Sequence, residues 1–319
     1  MNNDKVIQTI APIFTELMTQ KIQNLATDWQ QPWVTATQGR PRNLSGRNYH
    51  GGNILTLLIL TEEKGYKAPV FLSFKQAKEA DLNICKGEKG FPVFFWYRYA
   101  VPTEPNLKGM PYEKYLTLSA EDQKRFKILF PLRYYTVFNI DQTDMQEKNP
   151  QRYEQLTTET RTNDYSCEVI DRMLDEEKWY CPIELKKGNQ ASYYPNLDRI
   201  VCPLKTQFPQ GSQFYATLLH EIAHSTGHAG RLNRNQTGGF GSPNYAREEL
   251  IAELTAALCG VVFGFATVPQ EENAAYLKSW LEALAQEPKY LFNILTDVNK
   301  AATLITDKAT ENSDSQTTA

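Results

Sequence analysis

The 319-residue sequence has no Cys-x-x-Cys spacing, no membrane-length apolar run and no opening of the kind expected of a secretory leader. Cys85, Cys167, Cys181, Cys202 and Cys259 are odd in number, and no two of them have that spacing. That argues against a disulfide framework and a zinc ribbon, and leaves ordinary reduced thiols. The longest apolar candidates, at 54–60 and 258–266, are core-sized and fall short of the ~18 residues a spanning helix needs. The opening Met-Asn-Asn-Asp lacks the basic-then-apolar order of a leader, so the expected location is cytoplasmic, with no membrane partner. Histidine is scarce as well. There are four, and three of them fall within nine residues.

Those three sit in His220-Glu221-Ile-Ala-His224-Ser-Thr-Gly-His228. His-Glu-x-x-His on a helix is a zinc-protease signature. Residues four apart share a helix face, so His220 and His224 can offer nitrogens to one ion. Glu221 projects beside them, where a carboxylate can take a proton from a metal-held water. Phe214, Leu218, Leu219, Ile222 and Ala223 supply the apolar stripe that makes this segment a helix.

A catalytic zinc needs a third protein ligand and one open position. His228 continues the spacing but would lie about 12 Å along an unbroken helix from His220, too far to share the ion. It fits better at the helix end or as a neighbour of the site. The stronger candidate is in Arg247-Glu248-Glu249-Leu-Ile-Ala-Glu253, where Glu249 and Glu253 share a face. Glu249 is expected to complete a set of one zinc per chain with His220 and His224. Glu253 is expected behind it, orienting a ligand histidine, and Glu248 on a solvated acidic face.

Charge is unevenly spread. Residues 1–145 carry 18 Lys+Arg against 14 Asp+Glu, and residues 146–319 carry 16 against 23. Only the first part is suited to a polyanion. It also holds the most strand-like stretch, 90–101, where Trp96, Tyr97, Arg98 and Tyr99 follow Lys86 and Lys89. Aromatic faces with cations suit single-stranded nucleic acid, although alternation along a strand sends part of that set into a core.

Helical periodicity is expected over 5–27, 53–63, 75–81, 164–177, 272–286 and 288–307, and strands over 69–73, 132–140, 183–186 and 199–202. Residues 102–127 read as a surface insertion, 142–160 as a polar linker, 193–196 as a turn and 308–319 as a disordered tail. The domain expectation is 1–145, a linker at 146–160, and 161–307. Strands ahead of a His-Glu-x-x-His helix, then a helix with a carboxylate ligand, give the order of a compact α+β zincin, with 198–203 as the candidate edge for an added peptide strand.

Several motifs in order resemble the ArdC-type antirestriction family. They are Asn48-Tyr-His-Gly-Gly-Asn-Ile-Leu-Thr-Leu-Leu, Ser73-Phe-Lys-Gln-Ala-Lys, Lys86-Gly-Glu-Lys-Gly, Val137-Phe-Asn-Ile-Asp-Gln, the segment 215–224, and Tyr245-Ala-Arg-Glu-Glu-Leu-Ile-Ala-Glu-Leu. The resemblance implies an N-terminal mixed sheet and helix domain that binds single-stranded DNA, joined to a gluzincin-type zincin-like metallopeptidase domain. It implies carriage by conjugative elements and shielding of incoming DNA from restriction. Lys75, Lys86, Lys89, Trp96, Tyr97 and Arg98 are the candidate DNA contacts, Glu221 the catalytic base, and Glu253 and His228 the supporting residues. Three functions stay open: a DNA-coating antirestriction protein, a DNA-targeted endopeptidase with a protein substrate, or a fold that metal merely stabilises. Glu221 argues against the last, since a structural site needs no base.

Overall fold

The structure is a computed structural model describing residues 3–27, 39–158, 166–239, 242–267, 277–286 and 289–311. Apolar residues at helical spacing build α1 (Asn3–Thr27), whose Ile10, Phe14, Leu17, Met18, Ile22 and Leu25 are buried. β1 (Arg42–Asn43) and α2 (Gly52–Glu63) follow, and α2 is buried from Gly52 to Thr61. At the junction of β2 (Val70–Ser73) and α3 (Phe74–Glu79), Ser73 and Gln76 form a capping box that stops the strand and starts the helix.

The aromatic stretch is two strands, not one. β3 (Phe91–Trp96) and β4 (Tyr99–Pro102) part at residues 97 and 98 and join different sheets. The expected insertion is folded. It contains β5 (Met110–Pro111), α4 (Tyr112–Tyr115), α5 (Ala120–Gln123) and β6 (Phe126–Leu129), giving a sheet of order β5-β4-β6. β7 (Leu132–Asn139) runs antiparallel to both β2 and β3 in a sheet of order β1-β2-β7-β3. Its register sets Phe91 opposite Val137 and Trp96 opposite Leu132.

The described part of the polar stretch expected as a linker holds α6 (Met145–Lys148) and α7 (Pro150–Thr157). Met145 and Tyr153 are buried there in a small core with Leu44, Val70, Leu72 and Ile140, so the segment packs on the N-terminal sheet. Residues 159–165 lie outside the described residues. After α8 (Glu168–Asp175) come β8 (Ile183–Lys186), β9 (Ser192–Tyr194) and β10 (Arg199–Pro203), in the order β8-β10-β9. Two expectations are corrected here. Tyr193 and Tyr194 belong to a strand, because β10 offers them an antiparallel partner. The 198–203 segment is not an edge, since β10 pairs on both sides and β9 is the edge beside the histidine helix.

That helix is α9 (Gly211–Thr226). It packs on α10 (Pro243–Phe263), which starts at Ser242, whose hydroxyl accepts the Tyr245 N–H, and ends at Gly264 in the left-handed region at φ 94°. α11 (Leu277–Gln286) and α12 (Lys289–Thr310) complete the chain, and residues 272–276 of the helix expected at 272–286 lie outside the described residues. α12 runs through 308–310, expected as tail, because Ala309 extends its apolar stripe and is buried. Residues 312–319 are outside the described set.

The main hydrophobic core passes through both regions. α1 and α2 share it with α9, α10 and α12, and the Phe14 ring meets those of Phe91, Phe94 and Phe292 at centroid distances of 5.0, 5.5 and 5.4 Å. Such edge-on aromatic contacts contribute beyond the area they bury. Among the described residues no helix is long and apolar enough to cross a membrane.

Candidate metal centre

α9 and α10 are apolar on most of their circumference, so their polar residues are the exceptions. His220, Glu221, Glu248, Glu249 and Glu253 are all buried where the two helices meet. His220 Nε2 and His224 Nε2 lie 3.1 Å apart. Glu249 sends Oε2 to within 3.3 Å of the first and Oε1 to within 3.5 Å of the second. Ligands held tetrahedrally by bonds of 2.0–2.1 Å stand about 3.3–3.4 Å apart, the edge of that tetrahedron. Glu249 approaches the two histidines with different oxygens, and one ligand atom from each of the three residues lies within 4.8 Å of the others, a group able to hold one first-row divalent ion.

Charge balance points the same way. Four buried carboxylates crowd two imidazoles. Burial disfavours a charged His224, yet Glu249 and Glu248 outweigh it and raise its pKa well above the ordinary histidine value. His220 is raised too, burial opposing and the Glu249 hydrogen bond prevailing. Burial likewise works against an ionised Glu249, and both histidines overcome it and lower its pKa. The carboxylates thus favour positive charge between the two histidines, the charge that a divalent cation carries.

The outer nitrogens are differently supported. His224 Nδ1 lies 3.4 Å from Glu248 Oε1, a contact that turns Nε2 inward. Glu248 in turn receives the Arg234 guanidinium, with Nε 3.0 Å from Oε2, and the Gln236 amide at 3.1 Å. Against burial, His224 and Arg234 hold the Glu248 carboxyl at about 2. The expectation of a solvated Glu248 is corrected: the chain folds back after α9 and delivers Arg234 to it. Arg234 also donates to Ala223 O and Thr226 Oγ1 at the helix end, at 2.8 and 2.6 Å. Glu253 stands behind His220, with Oε1 3.8 Å from Nδ1, beyond hydrogen-bond reach, and among the described residues that Nδ1 has no hydrogen-bond partner.

Glu221 is buried, and its Oε2 accepts the backbone N–H of Tyr193 on the edge strand β9 at 2.6 Å. His228 lies past the end of α9, its Nδ1 3.8 Å from Asp198 Oδ2 and accepting the Gly230 N–H. Asp198 also accepts from Tyr193 Oη at 2.8 Å and from Arg231, which fixes the turn between β9 and β10. Sequence reasoning missed Arg234 and the Tyr193 amide; only a fold-back after Gly227 could have suggested the first.

The candidate DNA contacts are scattered. Lys75 pairs with Glu79 on the exposed face of α3, and Lys86 and Lys89 are exposed in the loop before β3. Tyr97 is half-buried between Phe95 and Tyr99, with Arg133 over its ring, and Arg98 lies over Tyr112. Trp96 alone of the six lines a large groove, described below.

Fold and site together define a zincin-like metallopeptidase domain, and residues 170–296 match the family described as zincin-like metallopeptidase. Residues 8–138 match the family described as the N-terminal domain of anti-restriction factor ArdC, so the chain joins an ArdC-like N-terminal domain to the zincin-like one. It superposes on the crystal structure of the antirestriction ArdC protein from plasmid R388 with a TM-score of 0.64 for the metal-free form, at 28% identity over 93% of this chain and 97% of that one. For the Mn(II)-bound form the TM-score is 0.66, at 27% identity over 93% and 98%. The y4eC protein of Sinorhizobium fredii is 28% identical, covering 95% of this chain and 94% of its own length. A DNA primase TraC of Escherichia coli is 31% identical over 90% of this chain, which spans only 19% of that longer protein.

Proposed function

We propose that this chain is an antirestriction protein of a mobile or conjugative element that binds single-stranded DNA and uses a zinc peptidase site. What supports the peptidase reading above all is the convergence of His220, His224 and Glu249, with Glu221 on the same helix as the two histidines. These three residues would hold the zinc. When bound, the ion would polarise a peptide carbonyl and bring a water's pKa to about 7. Glu221 then serves as the base that accepts the water's proton and returns it to the leaving amine. The Tyr193 N–H fixes one oxygen of that carboxylate and leaves the other for proton transfer. Glu248 keeps His224 facing the site, and β9 offers the neighbouring edge for a peptide strand.

The DNA reading is supported by the ArdC N-terminal match and by an aromatic row on the N-terminal sheets. Tyr135, Phe95, Tyr97 and Tyr99 follow one another at centroid distances of 6.0, 6.3 and 6.2 Å, with Arg133 over Tyr97. Stacking faces beside guanidinium groups suit an unpaired strand. The intact base Glu221 favours a second reading, a DNA-targeted endopeptidase whose cleavage is the main activity.

Glu221→Gln separates the two. It keeps all three ligands, so metal content and DNA affinity should equal wild type while proteolysis falls about 10²–10⁴-fold. Protection of DNA from restriction by the variant supports coating as the protective act. Loss of protection with DNA affinity intact would make proteolysis that act.

A further inference from the structure

A groove of 860 Å³ opens where the N-terminal sheet meets α12. Its size is within the range of small-ligand sites. The N-terminal region contributes the segment 47–53 with Phe95, Trp96 and Tyr135, and the C-terminal region contributes Thr296, Asn299 and Lys300.

The walls are built, not incidental. Asn53 clamps the first turn of α2 to β3, accepting the Phe94 N–H at 3.1 Å and donating to its carbonyl at 2.6 Å. Asn43 Oδ1 accepts the backbone N–H groups of Ser45 and Arg47 at 3.1 and 2.9 Å and so fixes the loop that carries Arg47. Gly51 has φ 60°, and a Cβ there would stand 2.5 Å from Asn299 Oδ1. Only glycine lets this loop reach α12.

The lining suits one chemistry. Phe95, Trp96 and Tyr135 are 42%, 46% and 43% exposed, unusual for large rings on a sheet. Arg47 and Lys300 are exposed, and among the described residues neither has a carboxylate within 4.0 Å. α2 starts in the groove with no side chain capping it, a setting favourable to an anion. Asn48 and Asn299 place amides that can meet base edges.

We infer that this groove holds nucleotides of a single strand, with Arg47 and Lys300 on phosphates and the rings under bases, so that the DNA site is shared by both regions through α12. The inference rests on the single-stranded-DNA reading above and adds the participation of Asn299 and Lys300.

The test uses the full chain, a fluorescent oligo-dT strand and anisotropy titrations across a salt series. Trp96→Ala should weaken binding about tenfold. Lys300→Ala should weaken it several-fold and lower the slope of log affinity against log salt by about one. Asn299→Ala should weaken it at unchanged slope. Lys187→Ala, which removes an exposed charge of the C-terminal region outside the groove, should change affinity little. Melting temperature and metal content should be unchanged in each variant, which separates lost contacts from lost folding. Wild-type affinity and slope in Lys300→Ala and Asn299→Ala, with Trp96→Ala weakened, would overturn the role of α12. Wild-type affinity in all three groove variants would overturn the groove and leave the DNA reading standing. A wild-type chain that binds no single strand at low salt would overturn both.

Discussion

The metal centre and the groove are both polar constellations between packed elements, but their construction is opposite. At the metal centre the charged groups are largely buried and several are answered within the chain: Glu248 by Arg234, His224 by Glu248, Glu221 by the Tyr193 amide. In the groove, Arg47, Lys300 and the three rings face solvent. A buried site must be satisfied within the chain, because an unpaired charge there is costly. An exposed site has water as its partner and can leave its cations for a ligand. The first therefore depends on the fold at every residue, and the second can be altered without touching stability.

The largest effect should come from breaking what the two regions share. Phe14→Ala removes a fully buried ring from the junction and is expected to cost about 3–5 kcal/mol. Tryptophan fluorescence and metal release should still report one common transition; two separate transitions would show that the regions fold independently. A middle effect is expected at the metal centre. Glu248→Gln leaves the three ligands but weakens the support of His224, and zinc affinity measured by chelator competition should fall about 10–100-fold. Unchanged affinity would mean that Glu248 serves only the Arg234 end of the cluster. The smallest is expected in the groove, where Arg47→Gln should alter the denaturation midpoint by no more than about 0.5 kcal/mol in stability. A larger loss would show Arg47 to be part of the architecture and the contrast to be overdrawn.

Much of the metal centre was legible because it lies within two helices. Spacing put His220 and His224 on one face and offered Glu249 and Glu253 together from the apolar run of α10, and the structure brings Glu249 to the histidines. What spacing could not supply was the return of the chain after Gly227. Glu248 looked like a solvated residue until Arg234 came back to meet it, eight residues beyond the end of α9. Strand pairing was hidden for a related reason. Residues 193–194 sit beside Pro195-Asn196 and carry turn chemistry, and only the presence of β10 makes them a strand and makes 198–203 central. The groove was least legible of all. Arg47 and Lys300 are some 250 residues apart in the chain, and no local pattern joins them. Cations close to aromatic residues in sequence drew attention instead to Lys86 and Lys89, which lie in the loop before β3 and outside the groove.

The four-ring junction of Phe14, Phe91, Phe94 and Phe292 also bears on inheritance. Three of the rings lie at positions 14, 91 and 94 and the fourth at 292, so a crossover between them would pair surfaces selected apart. A lineage that shuffles its genes often should then pass this unit on whole. The similarity to the much longer primase covers 90% of this chain, both regions together.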